Sequence, residues 1–264
     1  MIFILLPAYN EENSIKALLP KLIKELKTLD EEWQIVLCDD GSSDRTKEEF
    51  LNFSNEASLK LLSHQINRGL GETVRDLFEY AANTGKTGDI AIRLDCDDTH
   101  DPTTIKKMIR KIKEGYQVVI ASRFQRGGGQ KGIPPYRALV SYAANAFMKI
   151  VFPMNGVRDY SSGFRAYDVG LLKQAIQLYG NQFIQLKGLG FTCTLEKIVK
   201  LKILKPRMAE VANTLKYDQK KSDSKMVSSI TTFGYLTMAF LYHWPWGGWR
   251  INYGKKFKNM KRAD

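Results

Sequence analysis

The stretch DIAIRLDCDDTHDP, residues 89–102, decides the fold reading: an apolar run of strand length opens directly into four aspartates within seven residues. Carboxylates this close repel one another and raise each other's pKa, so a folded chain that concentrates them supplies a cation or exposes them to water. Four further runs have the same strand character: IFILL (2–6), WQIVLC (33–38), LKLLSH (59–64) and YQVVIA (116–121). Helical periodicity fills the gaps, as in IKALLPKLIKELKTL (15–29). This alternation predicts an α/β fold, a mostly parallel sheet with helices on both faces. In such sheets ligands bind at the carboxyl ends of the strands. PAYNEE (7–12), CDDGSSDRT (38–46) and DCDDTHD (95–101) then share one edge.

Several acids in these loops have ordinary structural duties. Asp101 before Pro102 suits a helix N-cap, Ser43 and Asp44 the start of another helix, and Glu12 a first turn. Asp39, Asp40, Asp95 and Asp97 remain at or just past strand ends, where capping does not require two acids at alternate positions. The Asp95-x-Asp97 alternation suits a hard divalent cation, Mg²⁺ or Mn²⁺, whose shell a diphosphate completes. Neither a Walker P-loop nor a G-x-G-x-x-G after the first strand is present, which argues against a kinase-like NTPase and a dinucleotide enzyme. Arg123 after the fifth strand, Arg137 after the glycine-rich RGGGQKGIPP loop and Arg165 in SSGFRAY are candidate phosphate contacts. His64, His100 and His243 show no cluster with the cysteines, and no nucleophilic triad is legible.

Composition narrows the setting. At 264 residues the chain holds one main domain, with ALVSYAANAFMKIVF (138–152) as a helix after the loop. A formal net charge of +12 favours polyanionic partners. Cys38, Cys96 and Cys193 lack zinc or disulfide spacing, which points to a reducing cytoplasm. The leading IFILLPAY is too short for a membrane span and lacks the flanks of a signal peptide. Residues 226–249 carry no Asp, Glu, Lys or Arg and lead into the basic RINYGKKFKNMKR. That pattern fits an interfacial segment on an anionic membrane, and equally a core-packing helix with a solvated basic tail.

Six motifs in order carry a resemblance: P-A-Y-N-E-E (7–12), D-D-G-S-S-D (39–44), N-R-G-L-G (67–71), D-C-D-D-T-H-D-P (95–102), S-R-F (122–124) and S-G-F-R-A-Y (162–167). Together they resemble family 2 glycosyltransferases, most of all the dolichol-phosphate mannose synthase and polyprenyl-phosphate glycosyltransferase branch. The resemblance covers residues 2 to about 226. It implies a glycosyltransferase A-type, Rossmann-like catalytic domain over 1–225, with a C-terminal interfacial helical extension over 226–264. It also implies a nucleotide-diphosphate sugar donor with Mg²⁺ or Mn²⁺. By that likeness Pro7, Tyr9, Glu11, Cys38 and Asp40 line the nucleoside pocket with Asp39 beside it, and Cys96 and Arg165 join the donor-binding set. Asp95 and Asp97 meet diphosphate and metal, with Thr99 as a further metal position where relatives carry Gln or Ser. Arg123, Arg137 and Lys225 meet phosphates.

Two departures bear on the acceptor. Q-K-K-S-D-S-K (219–225) places Gln219 where the family carries a phosphate-binding arginine, with Lys220 and Lys221 alongside and Lys225 retained. The processive-synthase signature Q-x-x-R-W is missing, which argues against polymer synthesis. The expected activity is inverting transfer of a hexose to a polyprenyl phosphate at the cytoplasmic membrane face. A lipid phosphate oxygen is already anionic, so the absence of an obvious general base is consistent with it. Competing readings are transfer to a saccharide or other hydroxyl acceptor, which requires a base, and noncatalytic binding of sugar nucleotide. Nucleic-acid binding follows from charge alone and is not expected, because no repeated aromatic-basic element accompanies it.

Overall fold

The computed structural model describes residues 1–219 and 228–263. The first half runs β1 (Ile2–Ala8), α1 (Glu12–Leu26), β2 (Trp33–Asp39), α2 (Thr46–Leu51), β3 (Leu59–Ser63), α3 (Leu70–Thr84), β4 (Ile90–Arg93), α4 (Thr104–Lys113) and β5 (Val118–Ser122). All five expected strands form. The second half adds β6 (Gly129–Lys131), α5 (Pro135–Val151), β7 (Arg165–Asp168), α6 (Val169–Tyr179), α7 (Thr192–Ile203), β8 (Met208–Ala212), β9 (Thr214–Lys216), α8 (Ser228–His243) and α9 (Gly248–Ala263).

The main sheet has the order β3-β2-β1-β4-β7-β5-β8, and β6 pairs separately with β9. Pairings β1–β2, β2–β3, β1–β4 and β5–β8 are parallel, whereas β7 runs antiparallel between β4 and β5. Strand order therefore reverses between β1 and β4, which opens a crevice at their carboxyl ends. The acid stretch lies at that reversal.

The pleat divides β1 between two cores. Ile2, Ile4, Leu6 and Ala8 face a cluster built with Leu18, Leu19 and Leu22 of α1 and Ile105, Met108 and Ile109 of α4. Phe3 and Leu5 face the other, with Leu77 and Phe78 of α3 and residues of α6 and α7. Complete burial of a leucine such as Leu18 or Leu22 is worth roughly 1.5–3 kcal/mol.

The C-terminal segment holds a helix where a basic tail was one expectation. Met238 and Tyr242 of α8, with Trp249 and Phe257 of α9, join the second core. The same helix α8 leaves Ile230, Phe233, Leu236 and Phe240 exposed, so one side packs and another does not. No helix among the described residues is long and apolar enough to cross a membrane.

Candidate active site

The loops after β1 and β2 are stitched into one wall. Backbone N–H of Asn10 donates to Ser42 Oγ (2.9 Å), Ser43 N–H to Asn10 Oδ1 (2.9 Å), and Glu11 N–H to Thr46 Oγ1 (2.8 Å). Glu12 N–H donates to Asp44 Oδ2 (3.1 Å), and Arg45 N–H returns the bond to Glu12 Oε2 (3.1 Å). Asp44 Oδ1 also accepts from Thr46 N–H (3.0 Å), while Asp101 accepts from Thr103 N–H (3.0 Å) at the turn leading into α4. Glu12, Asp44 and Asp101 thus do structural work.

Asp39 and Asp40 are both buried, yet they differ. Asp40 Oδ1 accepts from Arg68 N–H (2.8 Å) and its Oδ2 from Gly69 N–H (2.8 Å), and His64 Nδ1 lies 2.7 Å from Oδ1. Its carboxylate is committed to the N-R-G-L-G loop. Gly41 closes the contact: at φ +71°, a Cβ there would fall 2.6 Å from the Ile66 carbonyl carbon. Asp39 Oδ2 accepts from Ser42 N–H (3.2 Å), whereas Oδ1 is buried with no hydrogen-bond partner. One oxygen of Asp39 is uncommitted.

Pro7 pairs with Cys38 across β1 and β2, and Glu11 is buried at the start of the neighbouring loop. Tyr9 stands half-buried between them. Burial, reinforced by Asp76, Asp40 and Asp39, pushes the Cys38 thiol up to about 12, so it stays protonated. Contrary to expectation, a histidine does join a cysteine: His64 Nε2 lies 3.8 Å from Cys38 Sγ and 2.9 Å from Asp76 Oδ2.

At the end of β4 the side chains alternate. Asp95 and Asp97 are partly exposed, while Cys96 and Asp98 turn inward. Arg93 Nη2 donates to Asp95 Oδ1 (2.5 Å), and His100 Nε2 lies 3.3 Å from Oδ2. Burial opposes ionisation of Asp95, but the charge of Arg93 and the bonds from His100 and Arg93 outweigh it, holding the carboxyl well below its usual range. Burial, then Glu11, Asp95 and Asp97, drive the Cys96 thiol well above its ordinary value. The structure gives the glycine of S-G-F a reason: a Cβ on Gly163 would lie 1.9 Å from Arg93 Nη1 and 3.2 Å from Asp95 Oδ2. Thr99 is buried and donates from Oγ1 to Asp97 Oδ1 (2.6 Å), so its hydroxyl orients the acid.

The donor set fits a hard divalent ion. Among the described residues no group of three or more His, Cys, Asp or Glu is placed to hold a metal by itself. Two carboxylates are what Mg²⁺ or Mn²⁺ takes when substrate phosphates and water supply the rest.

Two of the expected arginines, Arg123 and Arg165, have their partners inside the protein. Arg123 is bidentate to Asp159 (Nε–Oδ2 2.8 Å, Nη2–Oδ1 2.7 Å) and reaches Ser161 Oγ at 2.5 Å, so its fork is committed inside the protein. Asp159 is fully buried, and Ser162 N–H caps it at 3.0 Å. Arg165 is also fully buried; it donates to the carbonyls of Thr194 and Tyr160, each at 2.6 Å, and cross-links the core instead of facing a phosphate. Arg137 lies in the first turn of α5, its side chain outside the description. Lys225, with Lys220 and Lys221, lies outside the described residues.

Sequence reasoning missed Arg93, Asp159 and Lys197. Lys197 is buried, its amine has no hydrogen-bond partner and sits 5.3 Å from the centre of the Phe78 ring. Burial, with Arg93 and Arg165 adding to it, lowers its pKa to about 7. Arg93 stands directly opposite Arg165 in the β4–β7 register, so positive side chains crowd behind Asp95. A period-two pattern with arginine at an inward position carries no such signal.

An open α/β sheet with an acid-bearing edge at its reversal point is the architecture of glycosyltransferase A-type enzymes. Residues 3–175 match Glycosyl transferase family 2, and the chain belongs to that family. A dolichol-phosphate mannosyltransferase of Pyrococcus furiosus is 30% identical over 203 residues, covering 76% of this chain and 53% of that protein. An undecaprenyl-phosphate 4-deoxy-4-formamido-L-arabinose transferase of Salmonella choleraesuis is 32% identical over 123 residues, 47% of this chain and 37% of that one. The chain thus spans about half or less of these relatives' lengths, and they support the polyprenyl-phosphate branch. In fold it resembles S. aureus TarS 1–349 in complex with UDP (TM-score 0.57, 17% identity, 90% of this chain and 64% of that one). It also resembles glucosyl-3-phosphoglycerate synthase from Mycobacterium tuberculosis, in complex with Mn²⁺, UDP and phosphoglyceric acid (TM-score 0.57, 17% identity, 90% and 78%).

Proposed function

We propose that the protein transfers one hexose, with inversion, from a nucleotide-diphosphate sugar of the GDP-mannose or UDP-glucose type to a polyprenyl phosphate. The observation that carries this reading is the partly exposed Asp95–Asp97 pair at the β1/β4 reversal, backed by buried Arg93. Magnesium or manganese held by Asp95 and Asp97 would offset the charge that builds on a departing nucleoside diphosphate. The chain's own residues do the rest. Arg93 and His100 fix Asp95, Thr99 fixes Asp97, and the uncommitted oxygen of Asp39 joins Pro7, Tyr9, Glu11 and Cys38 around the nucleoside. Arg123 serves by bracing the 159–162 loop through Asp159.

A lipid phosphate as acceptor agrees with the names of both relatives and with the surface. Tyr136, Leu139, Val140, Tyr142 and Ile150 of α5 are exposed, as are Phe233, Leu236 and Phe240 of α8. Trp244 and Trp246 follow α8, and α9 contributes Lys255, Lys256, Lys258, Lys261 and Arg262. Apolar helix faces beside basic ones suit peripheral attachment to an anionic leaflet, at the cytoplasmic face in this reading. Purified protein incubated with labelled GDP-mannose or UDP-glucose, Mg²⁺ or Mn²⁺ and a short polyprenyl phosphate yields a labelled glycolipid. Failure to transfer from either donor to that acceptor would sink the proposal, and transfer to a free hydroxyl acceptor instead would replace it.

A further inference from the structure

His64 lies outside every motif that the resemblance covers, yet it is buried beneath the loop between β3 and α3. Both ring nitrogens face carboxylates, Nδ1 toward Asp40 at 2.7 Å and Nε2 toward Asp76 at 2.9 Å. A neutral imidazole carries one N–H and one lone pair, so it would set a lone pair against one of those oxygens; only the doubly protonated ring donates to both. Asp40 uses its remaining capacity on the backbone N–H groups of Arg68 and Gly69, and Gly69 is the N-cap of α3 at φ +89°. The ring therefore ties together the end of β2, the 65–69 loop and α3.

From this we infer that His64 is a positioning residue for donor binding: its imidazolium holds Asp40 and the 65–69 loop against the pocket wall formed by Cys38 and Asp39. The inference rests on the proposed nucleotide-sugar reading of that wall. The charged and titratable groups around the ring are Cys38, Asp39 and Asp40 from β2 and its end, Arg68 from the loop, and Arg75 and Asp76 from α3. Burial alone would strip the ring's proton. The bonds and charges of Asp40 and Asp76 outweigh burial and raise the pKa above the ordinary histidine value. The clamp is therefore intact below that ordinary value and is lost as pH rises through the raised one.

The test measures UDP-glucose and GDP-mannose binding by calorimetry with Mg²⁺, and amide exchange across residues 64–70, from about pH 6 to about pH 9. In the wild-type protein affinity falls with rising pH by roughly tenfold, the scale of one hydrogen bond to a charged group. His64→Gln binds at the weak level throughout, and the ratio between the two proteins cancels the titration of Lys197 and of the nucleobase. Asp76→Asn moves the midpoint to lower pH, because one of the two carboxylates holding the proton is gone. A merely structural histidine would weaken binding in both variants without moving a midpoint. Donor binding whose pH dependence is the same in wild type and His64→Gln would overturn the inference while leaving the functional reading in place. Where neither donor binds at any pH, the functional reading fails. Exchange at Arg68 and Gly69, corrected for base catalysis, then decides alone whether the clamp exists: protection that falls with pH supports it, and flat protection rejects it.

Discussion

Two acid pairs sit at the ends of the two strands that flank β1 and resolve the same electrostatic problem in opposite ways. At the end of β2, Asp40 is neutralised from inside: two backbone N–H groups and an imidazole occupy its carboxylate, and the side chain is shut off from solvent. At the end of β4, Asp95 and Asp97 are held by Arg93, His100 and Thr99 and yet stay partly exposed. The first arrangement builds a wall; the second keeps its carboxylates within reach of solvent. Crowded acids alone do not mark a site. What marks it is the exposure that each carboxylate keeps.

Asp97→Asn should produce the largest effect and is the sharpest test of that contrast. Removing one anionic oxygen from the open pair lowers transfer on the order of a thousandfold, the scale of losing a main electrostatic contact to the reacting group. Stability is nearly unchanged, because asparagine still accepts from Thr99 Oγ1 (2.6 Å in the wild type) at a half-exposed position. Full activity in Asp97→Asn would break the comparison outright. Asp40→Asn should do the reverse. An amide at Asp40 leaves one of its donors facing an N–H or the imidazolium, which costs about 2–4 kcal/mol. Thermal unfolding then shifts down by on the order of 10 °C for a chain of this size. Calorimetric melting of the two variants side by side checks the pairing; equal melting temperatures would show that the β2 acids are as open as the β4 acids.

Much of this was legible in the chain. Five strands and their order along the sequence follow from apolar runs, and the convergence of three acid loops follows from parallel topology. The structural duties of Asp44 and Asp101 follow from their places just ahead of helices, although the N-cap of α4 falls at Thr103 and not at Asp101. What escaped is whatever depends on partners distant in sequence. RAYD is too short and too mixed to read as a strand, and its antiparallel insertion between β4 and β5 is what buries Arg165. Arg123 looked free because Asp159 lies 36 residues on, beyond any local pattern. His64 gave no signal because its two carboxylates come from β2 and α3, which only the fold brings to either side of one ring.

Thr99 carries the smallest effect and the finest distinction, since sequence places it as a metal position while the structure turns its hydroxyl toward Asp97. If the hydroxyl only orients the acid, Thr99→Val removes one hydrogen bond to a charged acceptor and leaves the weaker backbone bond from Thr99 N–H to Asp97 Oδ1 at 3.3 Å. Transfer then drops roughly tenfold, a hundred times less than for Asp97→Asn. Valine matches threonine in shape, so packing around this buried position is retained and the loss reports the hydroxyl. Thr99→Ser restores transfer to within about twofold, because serine keeps the donor at the same reach. Steady-state rates at saturating metal decide the matter. A loss in Thr99→Val as deep as in Asp97→Asn would make the hydroxyl a ligand in its own right, and the open pair would become an open trio.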